Sequence, residues 1–228
     1  MEREHAGLRF EAELWSQGYR SIAWVDEVGR GALAGPVVAA AVILPSDPGR
    51  LAPLLGRVDD SKRLTPRQRL VIVDEILLVA AATGVGRCEA EEVDRIGIVP
   101  ATRVAMMAAL AALEPEPDYV LIDYLRLPGL TCGQRPIVHG DAISLSIAAA
   151  SIVAKVARDS WMTAQEAHYP GYGFAQHKGY GSAAHRAALR IFGPCGLHRL
   201  TFAGVAPEAA LFSGERVEGD MGEREARA

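Results

Sequence analysis

The chain has 228 residues, half of them apolar, with a formal net charge of −4 and three cysteines. That length and apolar share suit one domain with a sizeable core. No apolar run nears the ~20 residues of a bilayer span. The charged start, Met1 to His5, lacks the form of a signal peptide, and Cys88, Cys132 and Cys195 are too scattered for a zinc or disulfide framework. A cytoplasmic protein is expected. Net acidity argues at first against a nucleic-acid binder. The residues after Pro207, however, carry an acidic excess of their own, and residues 139–205 hold six Lys or Arg against three acids. That half is the expected phosphate-facing half.

In chain order, residues 10–18 read as a short amphipathic helix ended by Gly18. Residues 21–26 form a strand that stops at two adjacent carboxylates, Asp26 and Glu27. A turn, Gly29-Arg30-Gly31, leads to a second strand over 36–44, antiparallel to the first and apolar throughout, as in a strand buried on both faces. Thr65-Pro66 begins a helix, with Thr as N-cap and Pro in the first turn; it runs to about Ala81 with Leu70, Val73, Ile76 and Leu77 on one face. A strand over 84–90, a short helix over 91–95 and an alanine-rich helix from about Pro100 to Leu113 follow.

Residues 118–123 form another strand ending in an acid, Asp123. A short strand at 136–138 precedes Gly140-Asp141, and Asp141 stands at the N-cap of a helix over 142–155. Residues 169–180 are rich in glycine and aromatics, a loop able to present rings and amides; Ser182 opens a helix to about Phe192. Strands and helices in this order predict an α/β domain with a mixed sheet.

Asp26, Glu27, Asp123 and Asp141 each lie at a strand end or a helix start, where sites gather in α/β sheets. Four converging carboxylates repel unless cations intervene, and an oxygen-only ligand set points to Mg²⁺ or Mn²⁺. Such a cluster suits two-metal phosphodiester cleavage. Glycine amides beside it allow close approach of a phosphate. Each member also has a plainer reading. Asp26-Glu27 could pair with Arg30 in a surface turn, Asp141 could be only a helix cap, and Lys155 could pair with Asp159 one turn away.

Several blocks together resemble the ribonuclease HII family over about residues 10–205. They are Val25-Asp26-Glu27-Val28-Gly29-Arg30-Gly31, Asp60-Ser61-Lys62, Ile122-Asp123, Gly140-Asp141, Ala154-Lys155-Val156 with Arg158-Asp159, His177-Lys178-Gly179-Tyr180, and His198-Arg199 with Thr201-Phe202. The resemblance implies an RNase H-like fold: a mixed five-stranded sheet flanked by helices, with a C-terminal helical region over about 160–206 completing a catalytic domain of residues 1–206, and a disordered acidic tail over 207–228. It implies a monomeric endoribonuclease that cuts the RNA strand of RNA–DNA hybrids. It also implies incision 5′ of ribonucleotides embedded in duplex DNA, leaving 3′-hydroxyl and 5′-phosphate ends.

By position, Asp26, Glu27, Asp123 and Asp141 would be the catalytic metal ligands for Mg²⁺ or Mn²⁺. Gly29, Arg30 and Gly31 would contact the junction ribonucleotide, and Tyr180 would stack on the following sugar. Ser61, Lys62, Lys155 and Lys178 would lie along the backbone. Tyr124 and His139 depart from the family's frequent choices, a small residue and a lysine. In the tail, Glu208-Ala209-Ala210-Leu211-Phe212 resembles the motif by which bacterial replication proteins bind the sliding clamp. Against the plain alternative, that Leu211 and Phe212 pack onto the domain, stands a clamp contact through them. Rival classes are another RNase H-like nuclease and a catalytically silent hybrid-binding protein.

Overall fold

The acid-bearing strand lies at the centre of the sheet. In the computed structural model, which describes residues 8–51, 54, 57–58, 64–137 and 145–206, β1 (Ile22–Val28) pairs antiparallel with β2 (Val37–Ile43) and parallel with β4 (Tyr119–Asp123). β3 (Ala82–Cys88) runs antiparallel to β2 at one edge, and β5 (Gly133–Ile137) runs parallel to β4 at the other. The order β3-β2-β1-β4-β5 is the mixed five-stranded sheet expected. Pro136 sits in β5, an edge strand, where its missing N–H costs no ladder bond inside the sheet.

β2 is apolar throughout because helices cover both faces. Its seven residues are all buried, and their side chains alternate between two cores. Val37, Ala39, Ala41 and Ile43 meet helix α5 (Ile98–Ala111) with Ala105, Met106 and Ala109. Ala40 and Val42 meet the long helix α6 (Leu145–Gln165) with Leu145, Ala148, Ala149 and Ile152. Helix α5 lies directly on the sheet: a Cβ on Gly86 would come within 2.2 Å of the Ala105 carbonyl. Helix α6 runs ten residues beyond the expected end at Lys155, to Gln165.

Helix α1 (Arg9–Ser16) closes a small core around Trp24, Leu121 and Ile147. Helix α2 is a single turn, Pro48–Leu51. Helix α3 (Pro66–Val79) starts with the expected cap, elaborated into a capping box between Thr65 and Gln68. Its buried face, however, is Arg69, Ile72, Val73 and Ile76, while Leu70 and Leu77 are about half exposed. The stripe is turned by one residue from the predicted one, because 69, 72, 73 and 76 are the positions spaced to face α6.

Helix α4 (Ala90–Ile96) precedes α5. After α6 come a short helix, α7 (Phe174–His177), and α8 (Ala183–Phe192), which Ser182 caps by accepting from the His185 amide at 3.1 Å. The glycine- and aromatic-rich segment buries two of its rings and leaves Tyr180 part-exposed. Tyr172 and Phe174 are buried and stacked 5.4 Å apart, forming a satellite core with Ala34, Met162 and Ala188.

Candidate active site

β1 and β4 are parallel neighbours in register, Val25 beside Ile122, so the next residues, Asp26 and Asp123, lie side by side where this pairing ends, at one end of the central strands. Asp26 is buried, and its Oδ1 accepts from the Glu27 amide at 2.8 Å. A second hydrogen bond joins it to Ser151 of α6. These bonds favour the charged form but do not prevail. Burial first, and then the Glu27 charge, push the Asp26 carboxyl up to about 8, with Asp123 adding to the rise. Burial likewise raises Glu27, against the pull of Arg30, whose Nη1 lies 3.1 Å from Glu27 Oε1. Both readings of this pair therefore hold in part: Glu27 does pair with Arg30, but the site is buried rather than a surface turn.

Glu27 Oε2 is buried with no hydrogen-bond partner among the described residues. A buried carboxylate oxygen beside two further acids is suited to bind a cation. The oxygen-only donors fit a hard divalent ion such as Mg²⁺ or Mn²⁺. Among the described residues alone, no three Asp, Glu, His or Cys side chains complete a metal cage. Asp141, the fourth predicted ligand, follows β5 in the chain and lies outside the described residues, as do His139, Ser61, Lys62, Leu211 and Phe212.

The Gly-Arg-Gly turn divides into two roles. Gly29 has φ 90°, and a Cβ there would lie 2.1 Å from Arg158 Nε, so its bareness serves internal packing. Gly31 is exposed, and a Cβ there would meet nothing within 4 Å. Only Gly31 leaves open space on the solvent side.

One stripe of α6 underlies the whole site. Ser151, Lys155, Arg158 and Met162 recur at helical spacing. Ser151 reaches Asp26; Lys155 Nζ and the Arg158 guanidinium lie 5.4 and 5.3 Å from the Tyr180 ring centroid. Lys155 also bonds Asp159 at 2.9 Å, the plainer reading of that residue, while it keeps its contact with Tyr180. Lys178 Nζ donates to the Ala175 carbonyl. Lys155, Lys178 and Tyr180 line a groove of about 670 Å³, together with Arg69, Leu70 and Gln176.

Sequence reasoning counted Arg158 and Arg199 among cations facing phosphate. Both are fully buried and bond only carbonyls. Arg158 donates to the carbonyls of Pro36 (2.9 Å), Lys178 (2.8 Å) and Ala34 (2.9 Å). Arg199 donates twice to Gly35 O (3.0 and 2.8 Å) and to Arg30 O (2.9 Å). Burial lowers both pKa values, that of Arg199 to about 10, which leaves each charged at neutral pH. His185 and His198 are buried as well.

Tyr124 follows Asp123 and is two-thirds exposed, with φ 64°. The Leu125 amide donates to Asp123 O at 2.8 Å, closing a γ-turn of the rare positive-φ kind around it. The departure thus packs outside the core and carries backbone strain at the edge of the acid cluster.

Comparison with known proteins matches residues 23–205 to the family described as Ribonuclease HII. The ribonuclease HII of Geotalea daltonii is 52% identical over 198 residues, covering 87% of this chain and 89% of that protein. The ribonuclease H2 of Pyrococcus horikoshii OT3 has a similar structure: TM-score 0.69 at 23% identity, over 81% of this chain and 95% of that one. A further match is the ribonuclease HII in a complex with PCNA from Archaeoglobus fulgidus: TM-score 0.61, 26% identity, over 75% of this chain and 87% of that one.

Proposed function

This chain belongs to the ribonuclease HII family and is a metal-dependent ribonuclease H, and from that premise we propose that it incises duplex DNA 5′ of an embedded ribonucleotide, besides cutting the RNA strand of RNA–DNA hybrids. The observation that carries the reading is the meeting of Asp26, Glu27 and Asp123 at one end of the central strands, with Glu27 Oε2 buried and without a hydrogen-bond partner among the described residues. Asp141 completes the set in this proposal. Two Mg²⁺ or Mn²⁺ ions held by these acids would supply a water activated for attack on phosphorus and counter-charge for the leaving oxygen.

The protein's own residues hold the substrate to that end of the sheet. Ser151 and the Glu27 amide fix the Asp26 carboxylate, and Arg30 fixes Glu27. The ribose 2′-hydroxyl separates RNA from DNA. The open space over Gly31 lets backbone approach that hydroxyl and its phosphate. Tyr180, backed by Arg158 and Lys155, meets the following sugar, where a second 2′-hydroxyl would obstruct the ring. Water adds to phosphorus, the bond to the preceding 3′-oxygen breaks, and that oxygen leaves as a 3′-hydroxyl with a 5′-phosphate opposite.

The test is a DNA duplex carrying one ribonucleotide, incubated with Mg²⁺ or Mn²⁺. A single nick 5′ of the ribonucleotide is expected; no nick under either ion, or equal cutting of all-DNA duplex, contradicts the reading. We further propose that the tail contacts a sliding clamp through Leu211 and Phe212, which the solved ribonuclease HII–PCNA complex supports by analogy. Clamp capture unaffected by a Leu211→Ala, Phe212→Ala double substitution would exclude it.

A further inference from the structure

Three consecutive carbonyls, those of Lys178, Gly179 and Tyr180, are each held by a different part of the protein. Arg158 Nη1 donates to Lys178 O at 2.8 Å. The Leu33 and Ala34 amides, just past the Gly-Arg-Gly turn, donate to Gly179 O at 2.8 and 3.2 Å. Tyr180 O accepts from the Ser182 amide at 2.8 Å and from His185 Nδ1 at 3.0 Å. The first two ties join the segment to α6 and to the Gly-Arg-Gly turn. The third comes from a ring that the chemistry above does not use.

His185 and His198 are buried, with their Nε2 atoms 3.0 Å apart. Two ring nitrogens at that distance share one proton. Its direction follows from the ends of the chain. The Cys195 amide can only donate, and it lies 2.9 Å from His198 Nδ1, nearer than the Cys195 carbonyl at 3.3 Å. His198 therefore carries its proton on Nε2 and donates to His185 Nε2. His185 must then carry its own on Nδ1, where Tyr180 O accepts it. His177 stacks on His185 at 4.3 Å and 13°, closing the other side of the ring. Burial and the neighbouring ring hold His198 down to about 4, in keeping with a relay of neutral imidazoles.

We propose that His185, oriented by His198, is a positioning residue for sugar discrimination: through the Tyr180 carbonyl it sets where the Tyr180 ring meets the nucleotide after the ribonucleotide. This rests on the reading of Tyr180 given above. Packing alone would need only a ring-sized side chain at 185. The relay needs an N–H at the Nδ1 position.

Two substitutions separate these demands. The amide nitrogen of Asn falls near the Nδ1 position, whereas Gln reaches toward Nε2. The readout is the ratio of single-turnover rates on a one-ribonucleotide duplex and a uniform RNA–DNA hybrid. His185→Gln should lower that ratio about tenfold, the scale of a misplaced contact; His185→Asn should keep it within about twofold. Equal ratios in the two variants, with Tyr180→Ala low, would overturn the assignment to His185. An unchanged ratio in Tyr180→Ala would instead overturn the reading of Tyr180. Nitrogen-15 spectra of the unsubstituted protein test the relay without any variant. They should show His185 protonated on Nδ1 and His198 on Nε2; the opposite tautomer at His185 overturns the proposal.

Discussion

The acid edge and the loop clamp beneath Tyr180 both bury charge without an opposite charge enough to neutralise it, yet they resolve it differently. At the acid edge, Asp26 and Glu27 lie beside Asp123, and among the described residues Arg30 and a few hydrogen bonds oppose the repulsion of Asp26 and Glu27. Both carboxyls are pushed up, and one oxygen has no donor among the described residues. At the clamp, Arg158 and Arg199 are equally buried, but each guanidinium donates three hydrogen bonds to carbonyls. A site that must accept a cation gathers carboxylates, whereas in loops that must hold still every guanidinium nitrogen meets a carbonyl.

The contrast predicts opposite signs on neutralising each region. Asp26→Asn should lower nicking about 10³-fold or more, the scale of losing a group acting directly on the reaction. The same change should raise the metal-free melting temperature by a few degrees, on the order of 1 kcal/mol, because a buried carboxyl that the unfolded chain ionises freely is replaced by a neutral amide. Rate assays and thermal melts in a chelator check both. Arg199→Met should act the other way, costing about 4 kcal/mol as Gly35 O and Arg30 O lose their donors. A denaturant titration showing no loss would remove the clamp from the account.

A pH titration probes the same side of the comparison. His198 titrates near 4 in the folded protein against an ordinary 6.5, and His185 is shifted in the same direction. Between those values these rings bind more protons in the unfolded chain than in the folded one, so their contribution to stability rises with pH. It should be complete above about 6.5 and fall toward pH 4, by on the order of 3 kcal/mol for His198. Asp26, pushed up to about 8, contributes with the opposite sign over the same range, so the check is the difference in melting temperature between the unsubstituted protein and His198→Asn, which should shrink as pH falls from 7 to 4. The smallest effect is expected at Tyr124, whose φ of 64° suits glycine. Tyr124→Gly should relieve strain and stabilise by about 1 kcal/mol, read as a rise in denaturation midpoint.

The acid edge was far more legible in the sequence than the clamp. Strand β1, the buried β2 and the acid-ended β4 are written in local patterns of apolar runs stopped by carboxylates. The parallel pairing that joins Asp26 to Asp123 follows from ordinary crossover rules once the strands are known. The clamp leaves no such pattern. Arg158 reaches carbonyls more than 120 residues earlier in the chain, and Arg199 reaches Arg30. Backbone acceptors carry no residue identity, so nothing in the sequence marks an arginine as buried rather than facing phosphate. The same holds for His185, whose partners are a carbonyl and another ring. On α3 the apolar residues span more than one stripe, and only packing against α6 selects Arg69, Ile72, Val73 and Ile76.

The central claim is that the acids perform the cut while the clamped loops choose where it falls. Single-turnover rates of Tyr180→Ala on a one-ribonucleotide duplex and on a uniform RNA–DNA hybrid, at saturating Mg²⁺ or Mn²⁺, test it most directly. The account predicts a fall of about tenfold or more on the single ribonucleotide with the hybrid rate little changed. An equal fall on both substrates, or none on either, would contradict it.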